Sequence, residues 1–289
     1  MPAPQIKNWP VEIFGHPFTN ISHKATKARV DQYCPFLGEE CKKPRKSQPH
    51  IKTGICSLGY KGKFLSETQP VIVCPYRFNV PWVFETLEGI FLPRIPRDHR
   101  ITWVPEVSLG GLGSIDYVAV VHQLGTRRVV DYMCVEFQAG GTTGTPFDAV
   151  TEFMKNGKFR QDRYGYGINW ANEFQKTMMQ QAYKKGKAFE AWRKRIVFVV
   201  QDLAMSFLRS VSDAGGLHAE QSSDPILFYT LKMVWDDAKA TWGFSLVEKL
   251  STNTEGIRRM LGGPAEGNYL TEADFRANIS RKMERSSPM

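Results

Sequence analysis

Strand-like and helix-like segments alternate along the second half of the chain, and this order restricts the fold more than any other feature of the sequence. Two β-rich runs, residues 116–121 and 129–138, are joined by a hairpin-like turn at 124–127. The segments that follow are a helix opened by Thr145-Pro146, a helix over 172–195, a strand over 196–201, a helix over 203–211, a strand over 226–235 and a helix over 272–285. This order predicts an α/β fold in which flanking helices cover a mixed central sheet.

The composition of residues 1–80 differs from that of the rest of the chain. This stretch is rich in Pro, Gly, Lys and Cys, and it has short strand-like runs such as Val71-Ile72-Val73 instead of long periodic segments. We therefore expect a small loop-rich unit over residues 1–80 and a larger core over residues 81–289. A chain of 289 residues is long enough for one such core with an appendage.

The hydropathy pattern gives no sign of a membrane helix. No unbroken apolar run approaches the roughly 20 residues that a bilayer span requires, and residues 1–10 lack the apolar stretch of a secretory signal. We therefore expect a cytoplasmic protein with no membrane partner. In that reducing compartment, cysteines more often bind a metal or fill the core than form disulfides.

Four of the five cysteines lie in the loop-rich unit, at Cys34, Cys41, Cys56 and Cys74. A unit of this size has little core of its own, so a tetrahedral metal could hold it together. The gaps of six, fourteen and seventeen residues contain no C-x2-C pair, so four ordinary buried cysteines, or a disulfide pair in an oxidising compartment, remain the alternative. Cys134 is predicted to be a core residue.

Charge is distributed unevenly along the chain. Residues 105–154 carry a net charge of −4, between a preceding segment of +7 and a following segment of +8 that ends at residue 195. An acidic centre between basic flanks is typical of a metal-dependent enzyme that acts on a polyphosphate. Two solvated basic surfaces with scattered acids would give the same counts.

The acidic segment contains a pair of carboxylates that could meet on one sheet. Asp116 begins the first β-rich run, and Glu136 and Gln138 share one face near the end of the second. Hairpin pairing would bring the two acids together, where they could bind Mg2+ with Gln138 placing water or phosphate. Glu106 is a further candidate acid, whereas Asp131 falls on the opposite face. A surface hairpin with ordinary acids is the alternative.

The basic segment over residues 155–195 interleaves Lys and Arg with aromatic residues, and Asn and Gln accompany them. These are the residue types that contact phosphates and base edges in DNA. The predicted DNA-binding residues are Arg160, Arg163, Asn169, Asn172, Gln175, Lys176, Gln180, Lys184, Lys185 and Lys187. An exposed basic helix whose aromatic residues pack inward would show the same pattern.

These features, in this order, resemble the NotI-like type II restriction endonucleases. The resemblance runs from about residue 11 to residue 200. The strings that carry it are Glu12-Ile13-Phe14-Gly15-His16-Pro17, Cys34-Pro35-Phe36, Gly54-Ile55-Cys56-Ser57, Val73-Cys74-Pro75, Gly113-Ser114-Ile115-Asp116, Val135-Glu136-Phe137-Gln138 and Asn169-Trp170.

The resemblance implies a nuclease core of the PD-(D/E)xK type that works as a homodimer on palindromic double-stranded DNA. It implies Mg2+-dependent cleavage that leaves 5′-phosphate ends, with Asp116, Glu136 and Gln138 as catalytic residues. It also implies that the four cysteines of the N-terminal unit bind iron, with zinc as the alternative. The target would be a GC-rich palindrome of roughly six to eight base pairs. The residue before Asp116 is Ile115, whereas the PD-(D/E)xK motif has a proline before its aspartate.

Two other functions fit parts of the same sequence. A DNA-binding regulator with a structural zinc would explain the basic charge and the cysteines, but it leaves the Asp116 and Glu136 arrangement as coincidence. A repair or recombination nuclease without strict sequence preference would share the carboxylates and differ in the fragments that it produces.

Overall fold

A computed structural model describes residues 2–45, 48–62, 64–90, 95–126, 128–262 and 271–283. Its strands are β1 (Pro10–Ile13), β2 (His16–Pro17), β3 (Tyr33–Cys34), β4 (Glu39–Glu40), β5 (Pro44–Arg45), β6 (Gln48–Lys52), β7 (Ile55–Tyr60), β8 (Gln69–Ile72), β9 (His99–Ser108), β10 (Ser114–Gln123), β11 (Val129–Gln138), β12 (Thr142–Thr143), β13 (Gly167–Ile168), β14 (Ile196–Gln201), β15 (His218–Ala219), β16 (Ile226–Asp236) and β17 (Thr241–Thr252).

The helices lie mostly in the second half of the chain. They are α1 (His23–Val30), α2 (Pro81–Glu88), α3 (Phe147–Asn156), α4 (Met179–Trp192), α5 (Asp202–Val211), α6 (Thr254–Leu261) and α7 (Glu272–Met283). A π-helical segment, Ala171–Met178, leads directly into α4, and a 3-10 turn, Pro75–Phe78, follows β8. Within the described ranges, no helix is both long and apolar enough to cross a membrane.

A mixed sheet forms the centre of the fold, so the predicted α/β class is confirmed. Within the described residues it has seven strands in the order β15-β17-β16-β14-β11-β10-β9. Strand β14 is parallel to β11 and β16, and the other neighbours are antiparallel. All six residues of β14 are buried, as expected for a parallel strand that is covered on both faces.

Two hydrophobic clusters cover the two faces of this sheet. One contains side chains of α3, α4 and α5, for example Phe153, Phe189 and Leu208. The other contains the 3-10 turn and α2, with Phe78 and Leu87. The central sheet is therefore held between two layers, and the end of β11 is the place where the site described below opens.

The predicted hairpin and helices are confirmed in outline. Strands β10 and β11 pair antiparallel, and α3 begins at Phe147 with Pro146 as its N-cap. The helix expected over 172–195 ends instead at Trp192, because Arg193 adopts a left-handed conformation (φ 54°) and the chain then turns into β14. The first two turns of that helix are π-helical.

Residues 1–80 pack closely onto the rest of the chain. A four-stranded sheet, β2-β1-β7-β8, lies beside the central one. Gln201 at the end of β14 ties the two together, since its side chain accepts from the Ile72 amide at 2.9 Å and donates to the Pro70 carbonyl at 2.6 Å. Packing is thus continuous across residue 80, and the division into two units stays a prediction.

Candidate active site

Three acidic residues occupy facing positions on neighbouring strands of the central sheet. The register that pairs Tyr117 with Val135 brings Asp116 opposite Glu136. The pairing of Ile115 with Val107 and Tyr117 with Pro105 brings Glu106 opposite Asp116 from the other side. The hairpin therefore places Asp116 beside Glu136 as the sequence pattern predicted.

The Asp116 carboxylate is anchored to the neighbouring strand. Its Oδ2 atom accepts a hydrogen bond from the Phe137 amide at 2.8 Å. Burial raises the pKa of Asp116, and the Glu106 carboxylate acts in the same direction, whereas the Phe137 amide and Lys185 oppose the shift. Glu106 itself is exposed and has a left-handed backbone (φ 52°).

Glu136 is buried and ion-paired. The Lys185 ammonium lies 2.5 Å from Glu136 Oε1, and both side chains are only about 5% exposed. The same ammonium donates to the Ser114 carbonyl at 2.8 Å. Burial raises the pKa of Glu136 to about 7 in spite of the lysine, and Asp116 adds to the rise.

Gln138, two residues after Glu136 on β11, also faces helix α4. Its Nε2 atom donates to Gln181 Oε1 at 3.2 Å. Phe137, between the two polar residues, points the other way into the second hydrophobic cluster, so the strand alternates as expected. The polar face of β11 and one face of α4 therefore meet across the site.

A cleft of about 780 Å³ opens beside Gln138. Its walls come from the β5 region, from the loop that follows β11 and from the π-helical segment with α4. The Arg45 guanidinium lies 4.7 Å from the centre of the Phe147 ring at this cleft, and Lys43 donates to the Val73 carbonyl. Positively charged groups of residues 1–80 thus line a cleft that reaches a predicted catalytic residue.

Two carboxylate oxygens remain for a divalent cation. Asp116 Oδ2 and Glu136 Oε1 make the contacts above, which leaves Asp116 Oδ1 and Glu136 Oε2 within the part of the chain that the structure describes. Such hard oxygen donors are the ligands that Mg2+ prefers. The donor set therefore fits the metal, even though no group of three or more His, Cys, Asp or Glu side chains in the described residues is close enough to hold an ion.

The four cysteines of the N-terminal region are all buried and reduced. Burial raises the pKa of the Cys56 thiol well above its usual range, and Cys74 and Cys34 contribute to that rise. Burial likewise raises the pKa of Cys74 to about 11, with contributions from Cys41 and Cys34. The four sulfurs therefore influence one another, although they do not converge on a closed metal site among the described residues.

Backbone amides also point at these sulfurs. The Gly15 amide lies 3.3 Å from Cys56 Sγ, the amides of Phe36 and Leu37 interact with Cys34, and that of Tyr76 interacts with Cys74. Amide donors stabilise a thiolate over a thiol. The donor chemistry thus fits a soft metal ion bound by four thiolates. Cys134 is buried on β11 and burial raises its pKa to about 12, in keeping with the predicted core role.

Most of the predicted DNA-binding residues lie on the surface. The exposed ones are Arg160, Arg163, Asn172, Lys176, Gln180, Lys184 and Lys187, whereas Asn169 and Gln175 are half-buried. Lys185 differs from its neighbours, since it is only 4% exposed and points at Glu136. Lys185 therefore lies beside the carboxylates and not on the exposed basic surface, and its contact with DNA stays a prediction.

Sequence reasoning missed three contributors to this region. It gave Lys185 and Gln181 no place beside the carboxylates, and it did not name Arg45. The buried stripe of α4 includes Ala182, Lys185, Gly186 and Phe189, spaced as one helical face. That spacing was the available signal that Lys185 faces inward.

A family model described as restriction endonuclease NotI matches residues 19–245. The chain belongs to the NotI restriction endonuclease family. The resemblance inferred from the motifs is thereby confirmed over most of the chain. Membership implies a restriction endonuclease, a hydrolase whose partner is double-stranded DNA. No curated protein gives a significant match.

Proposed function

We propose that this member of the NotI family is a type II restriction endonuclease that hydrolyses phosphodiester bonds in double-stranded DNA with Mg2+. The observation that carries the proposal is the row of acids, in which Asp116 and Glu136 stand opposite each other across a hairpin register. Adjacent strands hold them rigidly, and the open cleft begins next to them at Gln138.

Each side chain has a separate task in this reaction. Asp116 and Glu136 each offer one oxygen to the cation and are fixed by the Phe137 amide and Lys185. When bound, Mg2+ supplies Lewis acidity that activates water and offsets charge on the scissile phosphate. Gln138 orients water or a phosphate oxygen as a neutral hydrogen-bonding group, and Glu106 adds negative charge at the edge of the site.

The N-terminal cysteines and the basic segment would bind metal and DNA. Cys34, Cys41, Cys56 and Cys74 hold one iron ion, or zinc, as a support for residues 1–80. The exposed basic residues from Arg160 to Lys187 contact phosphates, and some of the Asn and Gln side chains read base edges. A core of the PD-(D/E)xK type, cytoplasmic location and 5′-phosphate products complete the proposal.

A homodimer follows from the symmetry of the reaction. One site of this kind cuts one strand, and a two-fold protein matches a two-fold DNA sequence. By the resemblance to the family, the proposed target is a GC-rich palindrome, which arginine contacts to guanine would suit. A nuclease without sequence preference would need no such symmetry.

Plasmid digestion with matched variants tests the catalytic assignment. Wild type should cut supercoiled DNA with Mg2+, and Asp116→Asn or Glu136→Gln should each lose about a thousandfold in rate, equal to roughly 4 kcal/mol. Asp131→Asn is the control, because Asp131 pairs with Lys194 away from the site. Cleavage that persists unchanged in either active-site variant would refute the assignment.

A further inference from the structure

Helix α4 and strand β11 contact each other through two side-chain pairs. Residues four apart on a helix are separated by about 6 Å, and residues two apart on a strand by nearly 7 Å. Lys185 therefore meets Glu136 at 2.5 Å while Gln181 meets Gln138 at 3.2 Å. A side chain at position 185 thus reaches the Glu136 carboxylate, which lies two residues before Gln138 on β11.

Negative charge accumulates at this site, and a fixed positive charge beside it would help the bound Mg2+ to offset that charge. Asp116, Glu136 and a DNA phosphate bring negative charge together, and Gln138 is neutral. The Lys185 ammonium is buried beside this group, and burying such an ion costs several kcal/mol unless it is well paired. Its two acceptors, Glu136 Oε1 and the Ser114 carbonyl, lie on the two strands that carry the acids.

We propose that Lys185 is a positioning residue of the nuclease site, which supplies from α4 the positive charge that Gln138 cannot supply from β11. Its ammonium holds Glu136 in place by one N–H and bridges to β10 by a second. This inference rests on the proposed function and adds a residue to it.

Single-turnover cleavage by wild type and four variants tests the role. Lys185→Met should cut at least a hundredfold more slowly than wild type, as expected for the loss of one preorganised electrostatic group. Lys185→Arg should retain more activity than Lys185→Met because it keeps the charge. The decisive variant is Gln138→Lys/Lys185→Met, in which the lysine at position 138 supplies the positive charge. Its cleavage rate should be at least tenfold higher than that of Lys185→Met. Lys239→Met, an exposed lysine in the turn between β16 and β17, is the control.

A second readout separates positioning from folding. Titration with Mn2+ should show binding to Lys185→Met at least as tight as to wild type, because the ammonium no longer competes for Glu136. Loss of cleavage together with a tenfold weaker Mn2+ affinity would mean that the site has collapsed, and it would overturn the proposal. Lost cleavage without rescue by Gln138→Lys would overturn it as well.

The outcomes distinguish this inference from the proposed function. If wild type cuts and Lys185→Met cuts within threefold of it, the Lys185 proposal alone fails. If wild type binds Mg2+ and DNA but never cuts, the proposed function fails and the Lys185 role falls with it. Should Lys185→Met not fold, Lys185→Arg and Lys185→Gln replace it, and equal cleavage by these two would refute a need for the charge.

Discussion

Replacement of Arg77 by methionine should lower the free energy of unfolding by about 3–5 kcal/mol, because it leaves the Glu12 carboxylate buried without its cation. Arg77 Nε lies 3.0 and 2.9 Å from the two Glu12 oxygens, and the side chains are 2% and 1% exposed. Arg77 also donates to the Trp242 carbonyl at 2.7 Å. The pair therefore ties β1 to β17, across the two sheets.

Aromatic rings enclose the same guanidinium. It lies 4.9 Å from the Phe36 ring centre and 4.7 Å from that of Phe244. A desolvated contact of this kind contributes up to about 2 kcal/mol. Methionine keeps much of the packing but none of the charge, so the stranded Glu12 accounts for most of the loss.

Urea unfolding followed by tryptophan fluorescence, at equal metal content, measures the effect. Arg209→Met is the matched control, since its ion pair with Glu248 is bidentate but 41% and 35% exposed and should contribute less than about 1 kcal/mol. Glu12→Gln/Arg77→Met should recover at least half of the loss, because no unpaired charge is then buried. A loss below about 1 kcal/mol for Arg77→Met would refute this reasoning.

Three further predictions concern the site, the cysteines and the DNA surface. The pKa of Glu136 is raised to about 7, so protons compete with Mg2+ for this carboxylate below pH 7. The Mg2+ concentration needed for half-maximal cleavage should therefore rise about tenfold for each pH unit below 7 and level off above it. A Mg2+ requirement that does not change with pH would contradict this. Elemental analysis should find about one iron or zinc per chain, lost with a lower unfolding temperature in Cys34→Ser but kept in Cys134→Ser; a folded, metal-free wild type would rule the site out. Lys176→Glu and Lys187→Glu should each weaken duplex binding. Each should also reduce the slope of log affinity against log salt concentration by about one released counterion. An unchanged slope in both variants would show that this basic surface does not contact DNA.

The sequence predicted the hairpin because its signals are local. The runs around Asp116 and Glu136 are β-rich, and a turn lies between them, so pairing follows from neighbouring residues alone. The buried strand β14 was equally clear, since all of its residues are apolar apart from the last. The register is less local, because a bulge between Val121 and His122 shifts the pairing by one residue, and this shift brings Asp116 opposite Glu136.

The direction in which each lysine of the basic helix points was harder to predict, for a physical reason. Adjacent helical positions differ by about 100° in direction, so Lys184 is exposed while Lys185 is buried. Charge alone suggested that both contact DNA, and only the apolar periodicity around Lys185 distinguishes them. The partner of Lys185 lies on a strand 49 residues away, which no local pattern reveals.

The cysteine spacing left both a metal site and ordinary buried cysteines open, for a similar reason. Cys34 and Cys74 are brought near each other by separate strands and turns rather than by a single knuckle. The contribution of Cys34 to the raised pKa of Cys74 depends on that tertiary approach. The positive φ of Glu106 was also beyond prediction, because a glutamate rarely adopts it.

Site-specific cleavage of DNA by this protein can be measured by end mapping of a plasmid of known sequence after digestion by wild type with Mg2+. A site-specific nuclease should produce discrete fragments whose 5′-phosphate ends all fall at one recurring palindrome. Smeared products with ends at unrelated sequences, or intact plasmid under conditions where the protein binds DNA, would contradict it.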